Sequence, residues 1–305
     1  MRQPKVGIII VNYKDIYDIL ATLDSLKKLQ YPNFEIFVTD NASQEHTEKA
    51  LRQKQKEINF HLIIEKGNPG FAGGNNLAIR EAQKSGCDDF CLLNLDTSVE
   101  PDFLGRLVAV AQSDNRVGIL GPRINYFFDP GLLWFNGGQT NWLKTAGQHQ
   151  NLDEPESGVA GDNQPREVDF ITGCTMYIRG QVVKKIGLLS EDYFMYHEDV
   201  DYCLRAKKAG FRIVFVPEAK IYHKISKTTK PGSETYIYYH TRNGLMTGWR
   251  YNGFFGRLTL IIFSILRLGK QVPKFFSAEK RKWARGVIFG TLDFYLSKKG
   301  KTRLF

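Results

Sequence analysis

Three carboxylates fall within four residues at Glu198-Asp199-Val200-Asp201, and two more aspartates, Asp40 and Asp96, each close an apolar run upstream. Carboxylates hold hard divalent cations through oxygen and take protons from hydroxyl groups. On that chemistry Asp96 is a candidate ligand for a cation that bridges a diphosphate, and Asp199 a candidate general base toward an acceptor hydroxyl. Asp40 could accept from a pyrimidine ring N–H or a ribose hydroxyl, with Tyr13 placed just past the first apolar run to stack on the base. Asp201 reads as structural, because Arg205 lies four residues on at ion-pair spacing. Asp is common in turns after strands, and acids suit the first turn of a helix. The grouping of these acids therefore carries the reading, and no one of them does so alone.

The elements that must position them can be read from periodicity. Val6 to Val11 is a continuous, β-branched apolar run, the pattern of a central strand buried on both faces. Asp15 to Gln30 has helical spacing. Phe34 to Val38 is a second strand running into Asp40, and Thr47 to Lys56 reads as a helix. His61 to Ile64 is a short strand. A glycine-rich loop, Gly67 to Asn76, follows, with a helix from Leu77 to Lys84 and a strand from Phe90 to Leu95 that ends on Asp96. The alternation predicts an α/β doubly wound, mostly parallel sheet, in which ligands bind at the carboxyl ends of the strands. Further on, Asn136 to Gln164 reads as a long mobile loop, Val168 to Ile178 as a strand pair around Gly173, and Val200 to Ala209 as a helix closed by Gly210. The glycine-rich segment is not Gly-x-Gly-x-x-Gly and lacks the Lys-Ser/Thr ending of a P-loop, which disfavours a dinucleotide or P-loop fold. Trp134, Trp142 and Trp249 are candidate sugar-stacking or core residues.

The net charge of +10 is unevenly placed. Residues 219–305 hold 18 Lys/Arg against 3 Asp/Glu, whereas residues 1–218 hold 24 against 29. The acidic body argues against nucleic-acid binding. The tail from Ser233 reads as helical, aromatic and basic, a composition that suits an anionic membrane surface or packing on the catalytic body. No apolar run reaches the ~18 residues of a membrane span, and Val6 to Val11 is too short for a signal-peptide core. Cys87, Cys91, Cys174 and Cys203 make no Cys-x-x-Cys pair, so they read as reduced thiols in a cytosol. The expected division is residues 1–232 as a catalytic domain and 233–305 as a basic helical extension, on a protein lying peripherally at the inner, cytoplasmic face of the cell membrane.

The motifs Val11-Asn12-Tyr13, Asp40-Asn41-Ala42-Ser43, Asn68-Pro69-Gly70-Phe71-Ala72-Gly73-Gly74-Asn75-Asn76 and Leu92-Leu93-Asn94-Leu95-Asp96 stand in that order. They are followed by Gly173-Cys174-Thr175-Met176, Phe194 to Asp201, and Arg242-Asn243. In this order the chain resembles the family 2, GT-A-fold glycosyltransferases, most closely their rhamnosyltransferase-like branch, over residues 6 to about 243. The resemblance implies an inverting transfer from a UDP- or dTDP-sugar to a hydroxyl of a cell-surface glycan or lipid-linked acceptor, with Mg²⁺ or Mn²⁺ as cofactor. It implies Asp199 as base and Asp96 and His223 at the metal. Val11, Asn12, Tyr13, Asp40, Gly73, Asn75, Asn94, Glu198 and Arg242 would contact substrate, Arg242 near the diphosphate. One departure is Asn94-Leu95-Asp96, where many members have Asp-x-Asp. The rival readings are a non-catalytic nucleotide-sugar-binding or scaffold subunit, and a sugar nucleotidyltransferase. The latter usually carries a glycine-rich, basic loop after the first strand, which Lys14-Asp15 does not supply.

Overall fold

The computed structural model describes residues 3–141, 146–159, 163–225 and 232–302. Four parallel strands form its first half: β1 (Val6–Asn12), β2 (Phe34–Asn41), β3 (His61–Glu65) and β4 (Asp89–Asn94), in the order β4-β1-β2-β3. The helices α1 (Ile16–Leu26), α2 (Glu45–Lys54) and α3 (Gly70–Lys84) make the crossovers. Val6, Ile8, Ile9 and Ile10 are wholly buried, as the unbroken apolar run requires of a strand covered on both faces. Each such side chain contributes about 1.5–3 kcal/mol. The register sets Asn12 beside Asp40 and Val11 beside Asn94, so the three strands end level.

The second half extends the sheet past β4. It comprises β5 (Thr97–Val99), α4 (Phe103–Ser113), β6 (Val117–Tyr126), β7 (Leu133–Phe135), β8 (Gly138–Asn141), β9 (Ala146–His149), β10 (Arg166–Glu167), β11 (Thr175–Arg179), α5 (Gly180–Ile186), α6 (Glu198–Lys208) and β12 (Arg212–His223). Strand β11 inserts antiparallel between β4 and β6, and β12 runs parallel to β6. Strand β12 is irregular. Val216 pairs with Pro122 and Lys220 with Arg123, so Pro217, Glu218 and Ala219 face no residue of β6. Beyond that bulge β12 pairs antiparallel with β5, which sets His223 against Thr97.

Four expectations are corrected. The segment Asn136 to Gln164 is not a structureless loop where it is described. Strands β8 and β9 form a hairpin, and Glu156–Val159 is a 3-10 turn whose first residue receives Arg123 at 3.1 Å and Lys220 at 2.7 Å. Trp142 lies outside the described residues. The second correction concerns the glycine-rich segment, of which only Gly67 to Pro69 is loop: α3 begins at Gly70, so Gly70 to Asn76 are its first two turns. Third, one strand, β11, forms between Val168 and Ile178, where a pair around Gly173 is expected. Fourth, α6 starts two residues early, which puts Glu198 and Asp199 in its first turn. It ends as expected before Gly210, whose φ of +91° is the left-handed conformation that glycine supplies.

The tail is helical: α7 (Glu234–Tyr251), α8 (Phe254–Gly269), α9 (Val272–Phe276) and α10 (Arg281–Tyr295). Gly286 and Gly290 of α10 let it approach α7 closely, since a Cβ at Gly290 would sit 2.7 Å from the Tyr238 carbonyl oxygen. Among the described residues no helix is long and apolar enough to cross a membrane.

Candidate active site

The level ends of β1, β2 and β4 form the first part of the site. Asn12 Nδ2 donates to Asp40 Oδ1 at 2.7 Å and to Ser43 Oγ at 3.3 Å. Both Asn12 and Asp40 are buried, and among the described residues the carboxylate has no other partner. Asn12 Oδ1 and Asn41 Oδ1 are buried acceptors without a donor. A pocket of unfilled acceptors suits a ligand that brings N–H or O–H groups, because an unmet buried polar atom costs about 1–3 kcal/mol. Lys14 and Ala42, with φ of 59° and 50°, turn the chain sharply at the two strand ends. Tyr13 is half-buried beside them, with Lys14 Nζ 5.0 Å from its ring centre.

The glycines of α3 serve close packing against these ends. A Cβ on Gly74 would lie 2.8 Å from Asn41 Nδ2 and from Val11 Cγ1, and one on Gly70 would meet the Phe194 carbonyl at 2.1 Å. Thr39 Oγ1 donates to the Gly74 carbonyl, and Asn41 Nδ2 to that of Gly70. Gly73 packs on Pro69, and Asn75 Nδ2 turns back to the Phe71 carbonyl at 2.8 Å. The structure thus places Gly73 and Asn75 in the buried face of the helix, while the Phe71 N–H bonds the Phe194 carbonyl and ties α3 to the acid segment.

Asp96 and His223 form the second part. His223 Nε2 lies 3.1 Å from Asp96 Oδ1, and both side chains are buried. The pairing follows from the sheet: β12 carries His223 opposite Thr97, and the Lys224 N–H donates to the Asp96 carbonyl. Trp134 stands edge-on to His223 and to His149 at 4.4 and 4.6 Å, walling this corner. Burial opposes a proton on His223, but Cys174 and Asp96 outweigh it and raise the imidazole to about 10. Burial also raises the Cys174 thiol, which is therefore uncharged at neutral pH, so Asp96 is the partner that holds the proton. His223 Nδ1 has no partner. One carboxylate oxygen and one imidazole nitrogen converging in this way fit a divalent cation that accepts mixed O/N ligands, provided its binding releases the proton now held between them. Among the described residues no third His, Cys, Asp or Glu joins them. Asn94, where a first carboxylate would stand, is half-buried next to them, and its N–H bonds the Cys174 carbonyl.

The acid segment is the third part. Asp199 is half-buried, with Oδ2 accepting from the Gly173 N–H at 2.9 Å and Oδ1 from the Val200 N–H at 2.8 Å. Glu198 beside it is buried, and its Oε2 has no partner. Burial, then the Asp199 charge, raises the Glu198 carboxyl well above the usual carboxylate range. Burial raises Asp199 too, but its two backbone donors oppose the shift. A single proton therefore resides on Glu198, and Asp199 stays ionised at the positive end of α6. The Gly173–Cys174 dipeptide links this carboxylate to the end of β4: the Gly173 N–H bonds Asp199, and the Cys174 carbonyl accepts from the Asn94 N–H, two residues before Asp96. Asp201 faces away, taking Arg205 at 2.9 Å, Arg250 at 2.7 Å and the Tyr251 hydroxyl at 2.7 Å.

The backbone before α6 is unusual. Tyr196 and His197 are consecutive non-glycine residues at φ of 65° and 74°, a conformation that costs of order 1 kcal/mol or more each. Asn243 of α7 holds it, Nδ2 donating to the Met195 and Tyr196 carbonyls at 2.8 and 2.9 Å. Arg242 is fully buried; its Nε orients the Asn243 amide at 2.9 Å, and its Nη1 bonds the Gly300 carbonyl and Thr302 Oγ1. These two nitrogens brace the clamp, while Nη2 is a buried donor without a hydrogen-bond partner. Asn243 belongs to the Arg242-Asn243 motif but is not among the expected site residues, and its hold on this backbone emerges only from the fold.

These parts meet at the carboxyl edge of a mostly parallel sheet, and a glycosyltransferase family 2 model ("Glycosyltransferase like family 2") matches residues 4–244. The chain belongs to that family. Among its relatives is the low-salt glycan biosynthesis hexosyltransferase Agl10 of Haloferax volcanii, 28% identical over 97% of this chain and 92% of the relative. Another is the N-acetylglucosaminyl-diphospho-decaprenol L-rhamnosyltransferase of Mycobacterium tuberculosis, 26% identical over 72% of this chain and 76% of its own length. The mannosyltransferase PcManGT of Pyrobaculum calidifontis, solved with GDP-Man and Mn²⁺, superposes with a TM-score of 0.61 at 14% identity, covering 98% of this chain and 89% of that one. That likeness concerns the fold, which is the GT-A type expected. This family 2 chain is a glycosyltransferase, with hexosyl- and rhamnosyltransferases among its homologues.

Proposed function

We propose that the chain is an inverting transferase that moves a sugar from a UDP- or dTDP-sugar to a hydroxyl of a glycan or lipid-linked acceptor. The observation that carries this is Asp199, whose carboxylate is fixed by the Gly173 and Val200 N–H groups and tied through the Gly173–Cys174 dipeptide to the end of β4, next to the Asp96–His223 pair. Asp40, Asn12 and Val11 form the nucleoside end, with Tyr13 stacking on the base. Asn94 lies toward the diphosphate. Asp199 takes the acceptor hydroxyl proton as that oxygen attacks the anomeric carbon. The bond from that carbon to the diphosphate oxygen breaks, its electron pair leaving with the nucleoside diphosphate, and the configuration inverts. Asp96 and His223 would hold Mg²⁺ or Mn²⁺, which would supply charge neutralisation for the departing diphosphate. The mixed O/N pair favours Mn²⁺, since Mg²⁺ prefers an all-oxygen shell.

In this reading residues 1–232 bind donor and carry the base, and 233–305 brace the base and face the acceptor side. A lipid-linked acceptor would place the protein at the cytoplasmic face of a membrane. The names of the relatives support a cell-surface saccharide product, because Agl10 is named for glycan biosynthesis and the mycobacterial enzyme for a diphospho-decaprenol substrate. The test is calorimetric binding of UDP and dTDP, each with and without Mn²⁺ or Mg²⁺, to wild type and Asp96→Ala. Metal-dependent binding that the substitution removes supports the reading and names the base. Binding of neither nucleotide by folded protein refutes it.

A further inference from the structure

Helix α8 has its amphipathicity inverted. Of its 16 residues only Leu260 and Ser264 are buried, and Ser264 Oγ meets the Tyr295 hydroxyl of α10 at 2.6 Å. At 3.6 residues per turn, Phe254, Phe255, Leu258, Ile262, Ile265 and Leu266 fall in one arc of about 120°, centred opposite that buried stripe. All six are exposed, Phe254 at 78% and Phe255 at 80%. A surface helix of a water-soluble body turns its polar face outward. Here the outward face is wholly apolar, and the charged residues of the helix, Arg257 and Arg267, lie off the arc to either side. An uncovered apolar ridge of this size marks a docking surface.

Two features identify what docks. The helix is about 24 Å long, too short for the ~20 residues of a span, so it can lie in a membrane interface and cannot cross one. From Phe254 to Arg285 the chain has eight Lys/Arg and one acid, Glu279. Among the described residues Lys270, Lys274 and Lys280 have no carboxylate partner. A second copy packed on the ridge would bring these cations against their own kind.

We infer that α8 seats on an anionic lipid surface, its six-residue arc in the headgroup–acyl boundary and the cations of 267–282 on the lipid phosphates. The surface is also tied to the catalytic body. The ridge begins three residues after Tyr251, whose hydroxyl bonds Asp201 on the outer face of α6, the helix that carries Asp199. If the transferase reading holds, the same interface that holds a lipid-linked acceptor holds this protein.

The test uses the full chain with no donor, so its outcome is independent of the nucleotide-binding result. Protein is sedimented with vesicles of phosphatidylcholine alone, or of phosphatidylcholine with one quarter phosphatidylglycerol, over a series of potassium chloride concentrations. Wild type is expected to bind the anionic vesicles about tenfold or more tightly than the neutral ones, with salt eroding the difference. Phe255→Ser/Ile262→Ser should weaken binding to the anionic vesicles about tenfold or more, and Lys270→Glu/Lys274→Glu comparably. All four side chains are solvent-facing or half-buried at the rim, so unchanged circular dichroism is the control for folding. Wild type remaining in the supernatant with every vesicle overturns the inference, as does binding indifferent to Phe255→Ser/Ile262→Ser. Lipid-free ultracentrifugation showing a dimer that the same pair abolishes also overturns it and assigns the ridge to a second copy.

Discussion

Asn243 is expected to control the rate through a loop it touches only by its amide. Asn243→Ala removes two buried hydrogen bonds to the Met195 and Tyr196 carbonyls and strands Arg242 Nε, which otherwise has the Asn243 carbonyl at 2.9 Å. At about 1 kcal/mol per bond and about 1–2 kcal/mol for the unmet cationic donor, the loss of stability is roughly 3–4 kcal/mol. The larger consequence is local. Tyr196 and His197 hold left-handed backbone angles only while something over-determines them, and once released they rotate the first turn of α6 and Asp199 with it. A misplacement of about 1 Å costs on the order of 10²-fold in rate, or about 2.7 kcal/mol of barrier. Donor contacts on β1, β2 and β4 are untouched, so kcat should fall while donor affinity stays within about twofold. Asn243→Asp separates the two contributions. Its carboxylate satisfies Arg242 but sets an oxygen against both carbonyls, so it should recover at most the stranded donor's about 1–2 kcal/mol and lose as much kcat as the alanine variant. The assays are urea unfolding, calorimetric donor binding and initial rates of transfer. If Asn243→Asp transfers at wild-type rate, the clamp does not position the base and the reasoning fails.

Asp199→Asn should reduce transfer by on the order of 10³-fold or more while calorimetry shows donor binding intact, because the amide cannot take the proton. Asp96→Ala and His223→Ala should each weaken metal-dependent nucleotide binding and leave any metal-independent binding unchanged. Burial holds His197 down to about 4, so the folded state keeps it neutral where the unfolded chain, at its ordinary value near 6.5, takes up a proton. Stability should therefore fall as pH drops from about 6.5 to about 4, by at most about 3 kcal/mol from this residue. His149 and His240 contribute with the same sign. His197→Asn, which tolerates the left-handed backbone, should flatten that limb of the urea-midpoint profile. Gly74→Ala, pressing a methyl to 2.8 Å from Asn41 and Val11, should cost about 1–3 kcal/mol by thermal melts.

What the sequence discloses here is what local pattern can encode. The run Val6 to Val11 has to be a doubly buried strand, and Asp40 and Asp96 mark within two residues where β2 and β4 stop, at Asn41 and Asn94, so the nucleoside end of the site is legible in the residues themselves. Carboxylate chemistry suggests Asp96 and Asp199, the family resemblance adds His223, and the sheet does pair His223 with Asp96. Three things are not legible. The glycine-rich segment looks like a loop because glycine is a poor helix former, but its glycines are needed where α3 presses on Val11, Asn41 and Phe194, and tertiary packing overrides the propensity. The hairpin of β8 and β9 is polar and brief, with no alternation strong enough to read, and it is held by buried contacts around Trp134 and His149. The role of Arg242 depends on which neighbours surround it. A lone arginine late in the chain suits a diphosphate, and only the fold shows it enclosed by Asn243, Gly300 and Thr302.

The bulge at Pro217, Glu218 and Ala219 makes the cation corner a matter of counting. Downstream of it the strand alternates, Ile221 and His223 turning to the buried side and Lys220 and Tyr222 lying at its margin. The side-chain period of a strand is two, so inserting one residue into the bulge would carry Tyr222 into the place of His223 and leave Asp96 facing a phenol, and deleting one would bring Lys224 there. A change of two residues would restore the inward phase but set Ile221 or Ile225 against Asp96. Length variation in this short segment therefore displaces His223 whether odd or even, and insertions or deletions should be tolerated in ordinary surface loops of the chain but not here.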